Sequence, residues 1–312
     1  MIKIEPTPAG EIPRELLLLA DEDEKMIAKY LGSARFWAAR LEGKIVGMAG
    51  LEDRGDGICE IVSVAVAPEF QNRKIGTRLV EAAVGYAKTR GYREVLIKTG
   101  DCGIGQLFLY QRCGFRFKAV VKDYFVKYYP KPIYENNLRC IDQVVLSYRV
   151  YSKVEQERAV KEYWSRFIEK NPPYRDRSYE TWCFCYGDYL PDKLIGLVKQ
   201  GKKTGTSSAL ELYEPGEKIP EEGDVSVITY GNGLPGCIIE TKECRTKSFS
   251  EITEEEAALE GEGDLTLAYW REVHEDVFSR EYQEAGRRFS VDIPVIFERF
   301  EVVYDEDDKD LP

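Results

Sequence analysis

Residues 60–90 combine the features that let a backbone hold an anion. An apolar run, Glu60-Ile61-Val62-Ser63-Val64-Ala65-Val66, ends at Pro68, and a polar turn, Gln71-Asn72-Arg73-Lys74-Ile75-Gly76-Thr77, follows. Apolar residues then recur at Leu79, Val80, Ala83, Val84 and Ala87. The first pattern is that of a buried strand and the last that of an amphipathic helix, so the turn delivers unpaired N–H groups and the positive end of a helix dipole to one point. A phosphate-sized anion suits such a turn. Thiol and imidazole chemistry have less support. The eight cysteines, at 59, 102, 113, 140, 183, 185, 237 and 244, contain no Cys-x-x-Cys, and His274 is the single histidine. No structural zinc set is readable and no metal is expected; Cys183 and Cys185, beside Trp182 and Phe184, are expected to be buried free thiols. His274 follows Trp270 by four residues, so on a helix the two share a face, and packing with one hydrogen bond is its expected state.

The elements that must position these groups follow from length and pattern. At 312 residues the chain is long enough for about two domains. No apolar run approaches the roughly 18 residues of a membrane span, and the first residues lack the apolar core of a leader, so a cytoplasmic protein without membrane contact is expected. Residues 1–150 hold 23 Lys/Arg against 19 Asp/Glu, whereas the remainder holds 21 against 36. The strongly acidic second half is a poor general polyanion binder, and a nucleic-acid ligand there has to be small or locally recognised. In the first half, two short helices are expected after Pro13 and after the acidic Asp21–Glu24. Strands 35–42 and 45–51 join through Gly43-Lys44 as a hairpin. After the helix, Gly91 is a stop, Arg93–Lys98 a strand, Gln106–Arg112 a short helix ended by Cys113-Gly114, and a strand starts at Phe115.

Gln71-x-x-x-x-Gly76 after a strand, followed by Leu109-Tyr110-Gln111-Arg112-Cys113-Gly114-Phe115, resembles the GNAT superfamily of N-acetyltransferases over about residues 2–149. The resemblance implies an α/β (α+β) fold, a mixed central sheet flanked by helices, with acetyl-CoA as co-substrate and an unidentified small-molecule amine as acceptor. It places the pyrophosphate on the turn Gln71, Asn72, Arg73, Lys74, Ile75, Gly76 and Thr77, and the oxyanion of the reaction on strand N–H groups near Val64, Ala65 and Val66. The family turn reads Gln/Arg-x-x-Gly-x-Gly/Ala; Lys74 stands at the first glycine and either narrows the cradle or adds a cationic contact. Tyr110 is implied as the acid that protonates the departing thiolate, and Glu60 as the base for the incoming ammonium, its proton affinity raised by burial among valines. Many members carry an asparagine seven residues before the tyrosine, where Gly103 stands here. The aromatic residues of 117–149, interleaved with lysines, have the makings of a nucleic-acid stacking surface, but core and the rim of an acceptor groove is the preferred reading. A degenerate acyl-CoA sensor is the alternative to an enzyme.

The second half carries Leu197–Ser208, Glu260-Gly261-Glu262-Gly263-Asp264, Trp270-Arg271-x-x-His274 and Glu298-Arg299-Phe300, among strands at 224–230, 236–247 and 293–304 and helices at 153–170, 253–260 and 264–282. These motifs resemble the ASCH domain, a small β-barrel related to the PUA RNA-binding fold. Some ASCH proteins hydrolyse N4-acetylcytidine with a lysine, a threonine three residues on and a distant glutamate; these positions fall on Lys203, Thr206 and Glu260. A threonine hydroxyl attacks only when a neighbour takes its proton, which a desolvated lysine does, and a carboxylate then handles protons at the leaving amine. An arginine common two residues after that threonine is Ser208 here, and Glu298 and Arg299 are expected to pair structurally. A non-catalytic module for RNA or a modified nucleoside is the alternative. The expected organisation is 1–150, the acetyltransferase domain; 151–304, the ASCH domain; and 305–312, a disordered acidic tail.

Overall fold

A computed structural model of the chain describes residues 2–185 and 189–306. These fold into two compact units, one up to Glu155 together with Tyr189 and one of the remaining described residues from Gln156 on. No described helix is long and apolar enough to cross a membrane.

The first unit runs β1 (Lys3–Thr7), α1 (Arg14–Ala20), α2 (Glu24–Tyr30), β2 (Arg35–Leu41), β3 (Lys44–Gly55), β4 (Ile58–Val66), α3 (Ile75–Thr89), β5 (Glu94–Gly100), α4 (Ile104–Arg112), β6 (Arg116–Val121), α5 (Tyr124–Tyr128), the small pair β7 (Tyr134–Glu135) and β8 (Leu138–Arg139), and β9 (Gln143–Arg149). Its sheet has the order β1-β2-β3-β4-β5-β9-β6, with β4–β5 the parallel neighbours. Strand alternation sends Cys59 and Ile61 to the face covered by α3, and a bulge at Val62 shifts the alternation so that Val64 and Val66 face the same way; Leu79, Val80, Ala83 and Val84 of α3 form the matching stripe. Leu16, Leu17, Ile27 and Tyr30 of α1 and α2 cover Phe36, Ala38, Met48 and Ala65 on the other face. The β2–β3 turn lies one residue earlier than the sequence suggests, at Glu42-Gly43, because both residues adopt the positive φ (51° and 81°) that a two-residue hairpin loop demands.

Two features of this unit depart from a regular sheet with flanking helices. The β4–β5 ladder runs only from Ile58–Glu94 to Ile61–Ile97, whereas β5 stays paired with β9 as far as Gly100. Beyond Ile61, therefore, β4 keeps its β3 partner and parts from β5, and a bulge opposite Gly50/Leu51 bends it at that step. The second feature is α5, a helix within the stretch 117–149 that the family resemblance assigns to core and the rim of an acceptor groove.

The second unit comprises α6 (Lys153–Lys170), β10 (Glu180–Trp182), α7 (Tyr189–Lys199), β11 (Gly205–Ala209), β12 (Val225–Thr229), β13 (Pro235–Ser248), α8 (Glu254–Leu259), α9 (Leu267–Glu284) and β14 (Pro294–Tyr304). The sheet order is β10-β12-β13-β14-β11, curled into a half barrel. Tyr163, Trp164 and Phe167 of α6 pack on Val225, Val227 and Ile238, and Leu194, Ile195 and Val198 of α7 pack on Phe184, Ile239 and Phe300. Trp270, Phe278 and Tyr282 of α9 cover Phe249, Val295 and Phe297. A capping box, Thr253 with Glu256, starts α8. Of the acidic tail, 307–312 lie outside the described residues; Asp305 pairs with Lys199 at 2.7 Å and Glu306 with Arg166 at 2.7 Å.

The cysteines add one bond and depart from one expectation. Cys102 and Cys140 form a disulfide, and Cys183 and Cys185 are exposed free thiols rather than buried ones. Neighbouring Trp182 and Phe184 do turn inward, but alternate residues of an extended segment face opposite ways, so the thiols between and after them face out.

Candidate functional site

The turn before α3 is built on left-handed backbone. Asn72 and Lys74 have φ of 61° and 60°, and Lys74 is the N-cap, with no side chain capping the helix. Lys74 thus keeps the conformation of the glycine it replaces, at the steric cost of a Cβ. Gln71 to Lys74 are exposed, and the Lys74 side chain makes no capping hydrogen bond to the N–H groups of the helix's first turn. Gln71 itself is spent on structure: its Nε2 donates to the Val66 carbonyl at 3.0 Å, fastening the turn to the end of β4. A Cβ on Gly76 would stand 3.2 Å from Leu109, so glycine lets α4 close against the start of α3. Tyr110, the next residue of α4, is 5% exposed, and burial, followed by the charges of Cys113 and Glu135, pushes its phenol well above the ordinary tyrosine range. At Gly103 any side chain would lie 2.8 Å from Thr99 Oγ1, so the tight β5–α4 turn explains why no asparagine occupies that position.

Glu60 stands on the last paired stretch of β4, 6% exposed. Its Oε2 is held by Arg54 Nε at 2.9 Å and Lys98 Nζ at 2.8 Å. The apolar sheath expected around this carboxylate is replaced by two cations, one from the β3 end and one from β5. A second carboxylate shares that face. Asp21, ending α1, accepts from Tyr129 Oη at 2.9 Å, and burial raises its proton affinity against the pull of that bond and of the Asp23 N–H. Tyr124 feels the charge of both Asp21 and Glu60, and its ring packs against those of Phe125, Tyr128 and Tyr129. The aromatic residues of this stretch thus form a cluster beside two carboxylates. Asp21 was missed because its partner, Tyr129, lies more than a hundred residues away; the acidic run around it reads as a helix start.

In the second unit, Lys203 and Glu260 meet in the interior. Lys203 Nζ donates to Glu260 Oε2 at 2.8 Å and Glu262 Oε1 at 3.1 Å, and lies 5.3 Å from the Phe184 ring centre. Glu260 Oε1 accepts from Trp270 Nε1 at 2.9 Å, with His274 Nε2 at 3.5 Å. His274 stacks on Trp270 and meets the Trp270 carbonyl through Nδ1 at 3.0 Å. Gly261 makes this meeting possible: φ is 70°, and a Cβ there would lie 2.3 Å from the Lys202 carbonyl oxygen. Burial opposes charge on both groups, yet Lys203 is shifted upward by Glu260 and Glu262, and Glu260 is lowered to about 2 by Lys203 and then His274. Both are therefore ionised at neutral pH. This corrects the expectation of a desolvated, proton-accepting lysine, because the carboxylates outweigh the burial. A small cleft lined by Glu262, Thr266, Tyr269 and His274 opens beside Glu260.

Thr206 is not part of that cluster. It lies on β11 directly opposite Glu298 of β14 and makes no side-chain hydrogen bond among the described residues. Glu298 and Arg299 are not paired either. Arg299 reaches Glu243 at 3.5 Å, while Glu298, 7% exposed, has among the described residues only the Thr241 hydroxyl at 3.1 Å, since sequential residues of a strand point to opposite faces. Ser208, at the position of the missing arginine, bonds Tyr213 Oη at 3.0 Å.

Comparison with known proteins falls along the same division. The acetyltransferase (GNAT) family model matches residues 7–115, and that of the ASCH domain matches 180–304. An uncharacterized N-acetyltransferase of Bacillus subtilis, YvbK, is 36% identical over 132 residues, covering 42% of this chain and 85% of that protein. An uncharacterized N-acetyltransferase of Methanocaldococcus jannaschii, MJ1207, is 37% identical over 95 residues, 28% of this chain and 41% of that protein. Among solved structures, a GNAT family acetyltransferase from Elizabethkingia anophelis with acetyl-CoA bound is 39% identical, with TM-score 0.46 over 48% of this chain and 98% of that one. An ASCH domain from Lactobacillus crispatus is 32% identical, with TM-score 0.45 over 47% of this chain and 95% of that one. The chain belongs to the GNAT family of N-acetyltransferases through its first unit and carries an ASCH domain in its second.

Proposed function

We propose that the first unit transfers an acetyl group from acetyl-CoA to a small-molecule amine, and that the ASCH unit hydrolyses acylated nucleosides of the N4-acetylcytidine type. The observation that carries the first part is the fork between β4 and β5, which opens beside the uncapped start of α3. Alternate N–H groups of Val62–Val66 face the fork, and an extended pantetheine arm fits there as an added strand. The turn at Asn72–Thr77 fits the pyrophosphate: its left-handed residues turn successive N–H groups outward, and Gly76 leaves room at the helix start. The Lys74 side chain, exposed, adds charge to that cradle. The amine enters from the face of Glu60, Asp21 and Tyr124. Glu60 takes the ammonium proton, strand N–H groups near Val64 hold the oxyanion, and Tyr110 protonates the thiolate. Its buried phenol keeps its proton throughout the neutral range, as a proton donor must.

Thiol release measured across a panel of amines, nucleosides and peptide N-termini tests this reading. A subset of amines accelerating release supports it; a flat response with tight CoA binding makes the unit a sensor. A second reading of the ASCH unit, as a binding module, is favoured because no hydrogen bond among the described residues links Thr206 to the Lys203–Glu260 pair. Hydrolysis of N4-acetylcytidine that disappears in Thr206→Ala supports the enzyme, and binding without turnover supports the module.

A further inference from the structure

Lys203 is held as a cation by two carboxylates, so a threonine nucleophile in this unit needs another proton acceptor. The strand register supplies one. Thr206 and Glu298 are direct partners on the antiparallel β11–β14 ladder, and partners in such a pair project from the same face with Cβ atoms about 4.5–5.5 Å apart. Glu298 is buried, no Lys, Arg or His among the described residues pairs with it, and its one hydrogen bond comes from Thr241 Oγ1. Phe300, two residues along the same strand and so on the same face, contacts Phe184, over which the Lys203 ammonium lies. The Lys203–Glu260 cluster and the Thr206–Glu298 pair therefore border one aromatic wall.

We propose that Glu298 is the group that takes the proton of the Thr206 hydroxyl, with Lys203 remaining a cation. The assignment rests on the reading of the ASCH unit as a hydrolase of acylated nucleosides. Thr206 Oγ1 forms a bond to the acyl carbon as its proton passes to Glu298. Collapse of the tetrahedral adduct breaks the C–N bond, and the proton on Glu298 goes to the leaving amine nitrogen. Water, giving its proton to Glu298, then attacks the threonine ester, and the free acid leaves as Thr206 regains its proton. Burial raises Glu298 to about 7, the Thr241 hydrogen bond lowering it and the Asp224 charge raising it, so acid and carboxylate forms are both populated near neutrality. The other titratable groups around it are Cys244 of β13, its register partner, and Tyr213 after β11; burial pushes both upward, so neither carries charge near pH 7.

The full chain with N4-acetylcytidine tests the assignment. The rate should rise with pH to a plateau above about 7. Glu298→Gln should lose about a hundredfold or more and the pH dependence with it, while Glu298→Asp keeps the pH dependence at a reduced rate. If Glu298→Gln stays within about threefold of the parent while Thr206→Ala abolishes hydrolysis, the enzyme reading stands and Glu298 is overturned as the acceptor. If the Gln variant fails to fold, the Asp variant decides: a pH-independent rate overturns the proposal. If the parent does not hydrolyse N4-acetylcytidine, that substrate reading falls, and acetylation of Thr206 by p-nitrophenyl acetate, read by peptide mass, separates the two. Labelling lost in Glu298→Gln upholds the proton acceptor, and labelling absent from the parent or unchanged in the variant overturns it.

Discussion

The residue scale turns on which buried charges are compensated. Glu298 and Glu260 lie in the same unit, yet one is raised to about 7 by desolvation and the other lowered to about 2 because Lys203 and His274 overcome desolvation. The folded state holds a proton on Glu298 that the unfolded chain has already released between about pH 4.5 and 7, so stability falls as pH rises through that window. Replacing Glu298 with Gln should stabilise the ASCH unit by about 3 kcal/mol at pH 8, with the difference vanishing near pH 4. Thermal melts of the two proteins across that range check it. Lys203→Met has the opposite sense: it strands Glu260 and should cost about 3–5 kcal/mol at neutral pH, read from denaturant unfolding. Lys74→Gly separates the two roles left open by its position. Relief of the left-handed conformation should add up to about 1 kcal/mol of stability, and weaker acetyl-CoA binding in the same variant assigns the side chain a phosphate contact.

At the scale of elements, local pattern carried far and pairing did not. The strand–turn–helix at residues 58–89 was legible because its periods switch from two to 3.6 within one window, and β12, β13, β14 and α9 were legible for the same reason. The fork was not legible, since it depends on where β5 abandons β4, a long-range register that no local pattern records. Helix α5 was missed because five residues, Tyr124–Tyr128, are too few to show a helical period, and its rings pack among themselves and beside Asp21. The expected pairing of Glu298 with Arg299 fails, by contrast, for a reason local pattern does record: adjacent strand residues cannot share a face, and Arg299 reaches Glu243 while Glu298 meets Thr241. Close approach of elements gives a further test. Gly261→Ala puts a methyl against the Lys202 carbonyl at a positive φ, so it should displace Glu260 from Lys203 and destabilise the ASCH unit by more than about 1 kcal/mol, checked by thermal melting.

For the whole molecule, the distribution of charge accords with the two activities proposed above. The first 150 residues are mildly basic and the rest strongly acidic, which suits an anionic donor in one unit and a small, uncharged nucleoside in the other rather than a long polyanion. The acetyltransferase reading joins the fork, the α3 start and Tyr110 into a single site, and Tyr110 is where it is most exposed to failure. The decisive measurement compares parent and Tyr110→Phe for thiol release from acetyl-CoA with an accepted amine, alongside equilibrium binding of acetyl-CoA. The account predicts turnover lower by about a hundredfold with acetyl-CoA affinity nearly unchanged. Turnover equal to that of the parent would contradict it.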